Sequence, residues 1–146
     1  MNGSATVVRS GCMAKDADMI LSEFILLGIG GKELSEENAA QTAKALNIIQ
    51  PDFIRVHATG IKLESKLGEF VRDGSFTLQS EEEIVIEQKL FLQQLHEMDS
   101  YYVNEHIVNL LLEVRGNLRT EKQEMLSTID RFLTLPPDER LLFTVG

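Results

Sequence analysis

The segment "FILLGIGGKELSEENAAQTAKALNIIQPDFIRV", residues 24–56, decides the fold class. An apolar run over 22–27 predicts a buried strand, and the glycines that follow predict a tight turn. A polar and apolar pattern of helical period over 36–49 predicts a helix, for which Ser35 is a suitable N-cap. A second apolar run over 53–56 predicts another strand. Two strands joined by one helix are expected to be parallel, with a right-handed crossover.

Within that helix, Ala39, Ala43 and Leu46 recur at the spacing of a buried stripe, and Pro51 is expected to end the helical region. Two parallel strands alone do not form an independently stable sheet, so the rest of the sheet must be accounted for.

The second half of the chain predicts helices and no further strand. Ser80 with Glu83 has the spacing of a capping box before a helix to about residue 98. Apolar residues over 101–114 recur at helical spacing, with Gly116 as the stop, and Thr120 with Gln123 predicts a second capping box. The expected fold is therefore α/β and mostly helical: one parallel strand-helix-strand unit, partly barrel-like, followed by a C-terminal helical layer. The expected division is a flexible N-terminus with a short helix over 1–21, the strand-helix-strand unit over 22–59, and a helical region over 60–146 that forms one compact domain with that unit.

Composition narrows the function classes. The 146 residues carry a formal net charge of −9, with a sequence pI of about 4.8. This argues against nucleic-acid binding by phosphate neutralisation and against docking on anionic membranes. No apolar stretch approaches the roughly 20 residues of a membrane-spanning helix, and no secretory signal is apparent, so a cytoplasmic location is expected. The single cysteine, Cys12, excludes an internal disulfide and a cysteine-rich metal site built from one chain.

The glycine turn fails two phosphate-binding patterns. A dinucleotide fingerprint starting at Gly28 and Gly30 would need glycine where Glu33 stands. A phosphate-binding loop of the Walker type would need glycine at Leu26 and serine or threonine at position 33. The remaining explanation from the residues alone is a turn between a buried strand and a helix.

The stretch "ILLGIGGKE", with the helix and "PDFIRV" after it, resembles the fifth strand, helix and sixth strand of radical S-adenosylmethionine (SAM) enzymes. The resemblance extends through "GEFVRDGSFTLQSEEEIVIEQKLFL", "YYVNEHIVNLL" and "GNLRTEKQEMLSTIDRFL", that is, from about residue 22 to about residue 133. It implies an oxidoreductase-type protein in which this turn approaches the adenine of SAM. The residues that the resemblance assigns to SAM are Gly28, Gly30, Gly31, Glu33 and Arg55.

The family also requires three cysteines for an iron–sulfur cluster, and this chain has only Cys12. The resemblance therefore predicts the C-terminal portion of such a protein, not catalytic alone, with SAM and the cluster belonging to a full-length relative. The missing partner would then be the N-terminal half of a barrel.

The alternative is a non-enzymatic dimerisation or protein-interaction module, in which the strand pair completes a sheet across a homo-oligomer. Three histidines remain open to more than one interpretation. His57 follows the second strand and is either a pocket contact or a loop residue. His106 and Asn109 would share a helix face, lining a polar pocket or packing between helices, and His96 would lie at a helix C-terminus.

Overall fold

The structure, a computed structural model, describes residues 3–62, 64–106 and 109–140. The described part is α/β and mostly helical, as predicted. Its elements in chain order are α1 (Gly3–Asp16), β1 (Ser22–Leu27), α2 (Ser35–Ile49), β2 (Phe53–Ala58), α3 (Lys66–Asp73), α4 (Glu81–Gln94), β3 (Tyr101–Val103), β4 (Gly116–Asn117), α5 (Lys122–Thr134) and α6 (Pro137–Arg140). Within these ranges, no helix combines the length and apolar character needed to cross a bilayer.

The rest of the sheet comes from the second half of the chain. The four strands lie in the order β1-β2-β3-β4. β1 pairs parallel with β2, β2 pairs parallel with β3, and β4 pairs antiparallel with β3. The predicted parallel pair β1–β2 is confirmed, whereas the prediction of no further strand is wrong.

Helices cover one face of this sheet. Ala39, Ala43 and Leu46 of α2 form the predicted buried stripe and pack with α4 in a single core cluster. The same cluster includes the strand residues Ile25 and Ile54. Because α2 and α4 both connect neighbouring parallel strands and both pack in this core, the other face of the sheet carries no helix layer among the described residues.

The predicted helix over 101–114 is wrong. Tyr101–Val103 forms β3, which pairs with β2 and brings Tyr102 level with Ile54. Leu111 has φ +52°, a left-handed conformation that an α-helix does not contain, and Gly116 lies in β4 and does not end a helix. Among the described residues of this stretch, Val103 of the strand and Leu111 and Val114 of the loop after it are buried apolar side chains. Residues 107 and 108 lie outside the described residues.

The helix starts were predicted with mixed success. Ser80 and Glu83 form the predicted capping box of α4. α2 already includes Ser35, and no side chain caps its start, because the Ser35 hydroxyl bonds to a side chain on α4 instead. The capping box of Thr120 with Gln123 is also wrong: α5 begins after Glu121, again without a side-chain cap.

The N-terminal region forms one longer helix than the predicted short one. α1 spans Gly3–Asp16 and packs against α2, where Gly11 lies so close to Ile49 that a Cβ would be 2.7 Å from its Cγ2. The Lys15 ammonium group lies 2.7 Å from the Asp52 carboxylate, which attaches the end of α1 to the loop before β2. At the other end, α6 adds a short helical turn after α5.

Candidate functional site

The glycine turn joins β1 to α2 at the carboxyl end of the parallel strands, where ligands of open α/β sheets usually bind. Gly28 (φ +81°) and Gly31 (φ +62°) adopt left-handed conformations that favour glycine. The Gly31 N–H donates to the Gly28 carbonyl over 3.1 Å and closes the turn. The Lys32 N–H then donates to the Thr77 carbonyl over 3.0 Å, so the turn is bonded to the segment that precedes α4.

A carboxylate of the chain itself occupies the anion position of this turn. The Oε1 atom of Glu87 accepts from the Gly28 N–H (3.1 Å) and from Nδ2 of Asn38 (2.7 Å). Its Oε2 atom accepts from the Ser35 hydroxyl (2.8 Å), which in turn accepts from Nε2 of Gln79 (2.9 Å). Glu87 is fully buried, with 0% exposure. The arrangement resembles anion binding by a glycine turn and a helix start, except that the anion belongs to α4.

The turn residues that the SAM resemblance selects lie together, but protein atoms surround them. A Cβ on Gly31 would be 2.8 Å from the Thr77 carbonyl oxygen, and one on Gly30 would be 3.0 Å from Leu34. A side-chain hydrogen bond with Thr77 lowers the pKa of Glu33, which also keeps a negative charge at the turn. The Gly28 N–H is already bonded to the Glu87 carboxylate. Protein atoms also leave no gap beside Gly31 for the edge of a ligand.

Arg55 is not brought to the turn. It lies on β2 next to Phe24 of β1, and its Nε atom donates to the Ser22 hydroxyl over 3.1 Å. Phe24 is four residues before Gly28, a distance of about 13 Å along a strand. The Arg55 side chain also lies on the sheet face opposite the core, whereas the turn packs against the start of α4. Gly28 and Arg55 therefore belong to different surfaces.

Two buried asparagines, Asn104 and Asn109, lie at the carboxyl end of β2. Asn109 donates to the Val56 carbonyl and accepts from the Ala58 N–H, so it pairs with β2 where β3 has already ended. Asn104 accepts from Asn109 over 2.6 Å and donates to the Leu111 carbonyl over 2.8 Å. The asparagine at position 109 thus acts as a strand substitute, and the prediction that it shares a helix face with His106 is wrong.

An open pocket of about 240 Å³ lies on the uncovered sheet face. We name it the open-face pocket. Phe24 meets the His57 ring edge-on at 5.3 Å between centroids, and the rings of His57 and His106 stack at 4.2 Å. The predicted alternatives for His57 are therefore resolved in favour of a pocket position. The lining residues are Phe24, Arg55, Val56, His57, Val103, Glu105 and His106.

The surroundings of His57 disfavour its protonated form. Burial lowers the pKa of His57, and the nearby charges of His106 and Arg55 lower it further. The Glu105 carboxylate is 3.0 Å from the Arg115 guanidinium group, which partly neutralises it. The Nδ1 atom of His106 is buried and has no hydrogen-bond partner within the described part of the chain.

The outer edge of β1 is a second exposed feature. β1 pairs with β2 on one side and with no strand in the described ranges on the other. Phe24 is 64% exposed and Leu26 is 47% exposed, both on the open sheet face. A groove of about 230 Å³ runs beside this edge, bounded by Val7 of α1, by Phe24, and by Ala45 of α2. The strand edge and its apolar side chains together form a surface suited to pairing.

Three further side chains do not form a site with these groups. His96 is exposed in the loop after α4, and its backbone N–H donates to the Asn47 side chain. Tyr102 is buried in β3, where its hydroxyl accepts from Nε2 of Gln88 over 3.0 Å. Cys12 is partly buried on α1. No group of three or more metal-binding side chains occurs in the ranges 3–62, 64–106 and 109–140.

The iron–sulfur cluster of the radical SAM family does not fit the residues present. Such a cluster needs several thiolates, and the sequence supplies only that of Cys12.

Glu87 was not singled out from the sequence. The signal for Glu87 was present, because Glu87 and Gln88 interrupt the apolar stripe of α4 between Ile84 and Phe91. Polar residues at buried helix positions are expected to have hydrogen-bond partners, but the pattern does not say which ones. Asn109 was selected as a neighbour of His106, but its bonds to the backbone of β2 depend on the pairing of β2 with β3, which no local pattern shows.

No protein-family model, curated protein or solved structure gives a significant match to this chain.

Proposed function

We propose that the protein is a non-enzymatic interaction module that forms a homodimer, in which β1 of one copy pairs antiparallel with β1 of a second copy. The supporting observation is the unpaired edge of β1 with exposed Phe24 and Leu26. Exposed, apolar sheet edges readily pair with other strands. Pairing of the same strand around a two-fold axis is self-complementary and closes at two copies.

The backbone directions along β1 support this pairing. The Leu27 carbonyl accepts from the Thr59 N–H on the β2 side, so the backbone groups of Ile25 and Leu27 face β2. Because these directions alternate along a strand, the N–H and C=O groups of Phe24 and the N–H of Leu26 face the outer edge. The Leu26 carbonyl accepts from Nδ2 of Asn38 over 3.1 Å and keeps a second lone pair.

The two-fold axis then falls on a specific residue. In an antiparallel pair, opposite side chains share one face, and a two-fold axis through the sheet must pass between two copies of one residue. An axis at Phe24 lets the two Phe24 residues exchange backbone hydrogen bonds, and it places Ser22 opposite Leu26 of the second copy. Glu23 is then opposite Ile25, which avoids facing like charges.

The few charges on β1 and the groove beside its outer edge both suit a second copy of the chain as the partner of this edge. Glu23 is the only ionisable residue of β1, and in this register it lies opposite Ile25 of the second copy, so no two carboxylates face each other directly across the pair. The groove between α1, α2 and β1 runs beside the same edge and leaves room along it. Because the chain carries a net charge of −9, an apolar contact with few charges is also the place where two copies repel each other least.

Sedimentation equilibrium tests the dimer. The expected mass at high protein concentration is twice the 16.4 kDa of one chain. Phe24→Lys is expected to shift the equilibrium to monomer, since two lysines would face each other across the axis. The substitution is tolerable in a monomer because Phe24 is exposed.

The matched control is Ile48→Lys, at a residue of α2 that is 56% exposed and lies away from β1. This variant is expected to keep the dimer mass. A monomer mass for the unchanged chain at millimolar concentration, or a dimer unaffected by Phe24→Lys, would contradict the proposal.

A second proposal follows from the radical SAM resemblance: the chain is the C-terminal portion of such an oxidoreductase-like protein and is inactive alone. It is supported by the order of β1, β2 and β3, with α2 and α4 on one face, which is the arrangement of a parallel barrel. The open sheet face would then meet the missing barrel half. Calorimetric titration with SAM tests for a retained site: because Glu87 and Thr77 surround the glycine turn, no saturable heat is expected at millimolar SAM. Saturable heat lost in Gly31→Ala would instead place a SAM site at that turn.

We also propose a cytoplasmic location and no binding of nucleic acid or membranes, on the basis of the acidic composition. Fractionation of the native protein tests the location.

A further inference from the structure

The open-face pocket has the size of a small ligand. Its volume of about 240 Å³ is below the roughly 300–1,000 Å³ of pockets for drug-sized molecules. One wall is aromatic, formed by Phe24, and the stacked rings of His57 and His106 form another. A pocket of this size suits a ligand smaller than a drug-sized molecule.

Arg55 supplies hydrogen-bond donors to the pocket. The Nε atom of Arg55 bonds to Ser22, and its other two nitrogens make no hydrogen bond or ion pair within the described ranges. The His106 ring adds a buried Nδ1 atom without a partner. Of the acidic side chains, Glu105 lines the pocket, and its carboxylate lies 3.0 Å from Arg115.

We propose that the open-face pocket binds a small oxyanion, a carboxylate or a phosphate group, between Arg55 and the stacked pair His57 and His106. The guanidinium group supplies the positive charge and paired donors that suit either group. The imidazoles supply further N–H donors, and Phe24 packs against the apolar part of the ligand. The proposal does not depend on the dimer, because the pocket lies on the sheet face and the dimer forms through the strand edge.

Binding is expected to be coupled to protonation of His57. The charged groups around His57 are Arg55 on its own strand and His106 and Glu105 on the loop after β3, whereas Phe24 on β1 is uncharged. In the free protein, burial and the two cationic neighbours keep the pKa of His57 below its usual range. A bound anion would favour the protonated ring of His57, so affinity is expected to rise as the pH falls through the range in which His57 takes up its proton.

NMR titration of the histidine ring signals in the full chain tests the site. The probes are inorganic phosphate and acetate, each added at constant ionic strength against sodium chloride. Saturable shifts of the His57 and His106 signals are expected with one or both probes, together with a rise of about 0.5–1 unit in the pKa of His57 at saturation. His96, exposed after α4, is the internal control and is expected not to shift.

Arg55→Gln is expected to weaken binding about tenfold or more, since it removes the charged donor. The control Arg131→Gln changes an exposed arginine on α5 and is expected to leave the affinity unchanged. Shifts that do not saturate with either probe, or that are equal in Arg55→Gln and in the unchanged chain, would overturn the proposal. The titration of the unchanged chain decides the question even if Arg55→Gln fails to fold.

Discussion

Replacing Glu87 by alanine is expected to lower the free energy of unfolding by about 3–5 kcal/mol. Glu87 is fully buried and accepts hydrogen bonds from the Gly28 backbone and from the side chains of Ser35 and Asn38. A buried donor left without an acceptor costs about 1–3 kcal/mol. The full cost is expected for the Gly28 N–H, because it has no other acceptor among the described residues. The Asn38 amide still donates to the Leu26 carbonyl, so the loss of its bond to Glu87 costs less.

The variant Glu87→Gln removes the carboxylate at this position but keeps an oxygen that can accept hydrogen bonds. The amide oxygen can still accept from Gly28 and Asn38, whereas the amide nitrogen would face the Ser35 hydroxyl, which already accepts from Gln79. We expect a smaller loss, of about 1–2 kcal/mol, because the Ser35 proton loses its acceptor. The matched control is Glu81→Gln, an exposed position in the first turn of α4, for which a change within about 0.5 kcal/mol is expected.

Urea unfolding followed by circular dichroism measures all three variants. At this chain length, 3–5 kcal/mol corresponds to a melting temperature lower by roughly 10 °C or more. The Gly28 amide is expected to exchange faster with solvent in Glu87→Ala. A loss below about 1 kcal/mol in Glu87→Ala, with an unchanged Gly28 exchange rate, would refute the assignment of Glu87 as the internal anion of the glycine turn.

Two further predictions concern the core and the turn. Tyr102→Phe is expected to lower the free energy of unfolding by about 1–2 kcal/mol at pH 7, since it leaves the buried Gln88 amide unpaired. Burial raises the pKa of Tyr102, so the neutral phenol is favoured in the fold, and stability measured by urea unfolding should fall as the pH rises above about 10, less so in Tyr102→Phe. Gly31→Ala is expected to cost about 1–3 kcal/mol, because its φ is +62° and the Cβ would be 2.8 Å from the Thr77 carbonyl oxygen. Gly60→Ala, where nothing lies within 4 Å of the new Cβ, is the control, and equal thermal stability of the two alanine variants would contradict this prediction.

The part of the fold that depends on local pattern could be predicted from the sequence. The periodicity of Ala39, Ala43 and Leu46 identified the buried face of α2, and the capping box of Ser80 and Glu83 identified the start of α4. Both rest on contacts within a few residues along the chain. The strand β3 could not be predicted in this way, because three residues at Tyr101–Val103 become a strand only by pairing with β2.

The candidate site was predicted less well than the fold. The resemblance assigned Arg55 to SAM together with the glycine turn, and His57 was left open between a pocket contact and a loop residue. The structure places both with His106 on the sheet face opposite the core. Glu87 lies 59 residues after Gly28 in the chain, and no local pattern connects them. Interactions over such separations follow from the order in which the strands pair, which the sequence pattern did not contain.

Amide hydrogen exchange along β1 tests the proposed dimer most directly. The Phe24 N–H faces the outer edge, whereas the Ile25 N–H faces β2. We predict that protection of the Phe24 amide rises with protein concentration in step with the dimer mass, while that of Ile25 is high throughout. A Phe24 amide whose exchange rate is the same for monomer and dimer would contradict pairing through β1.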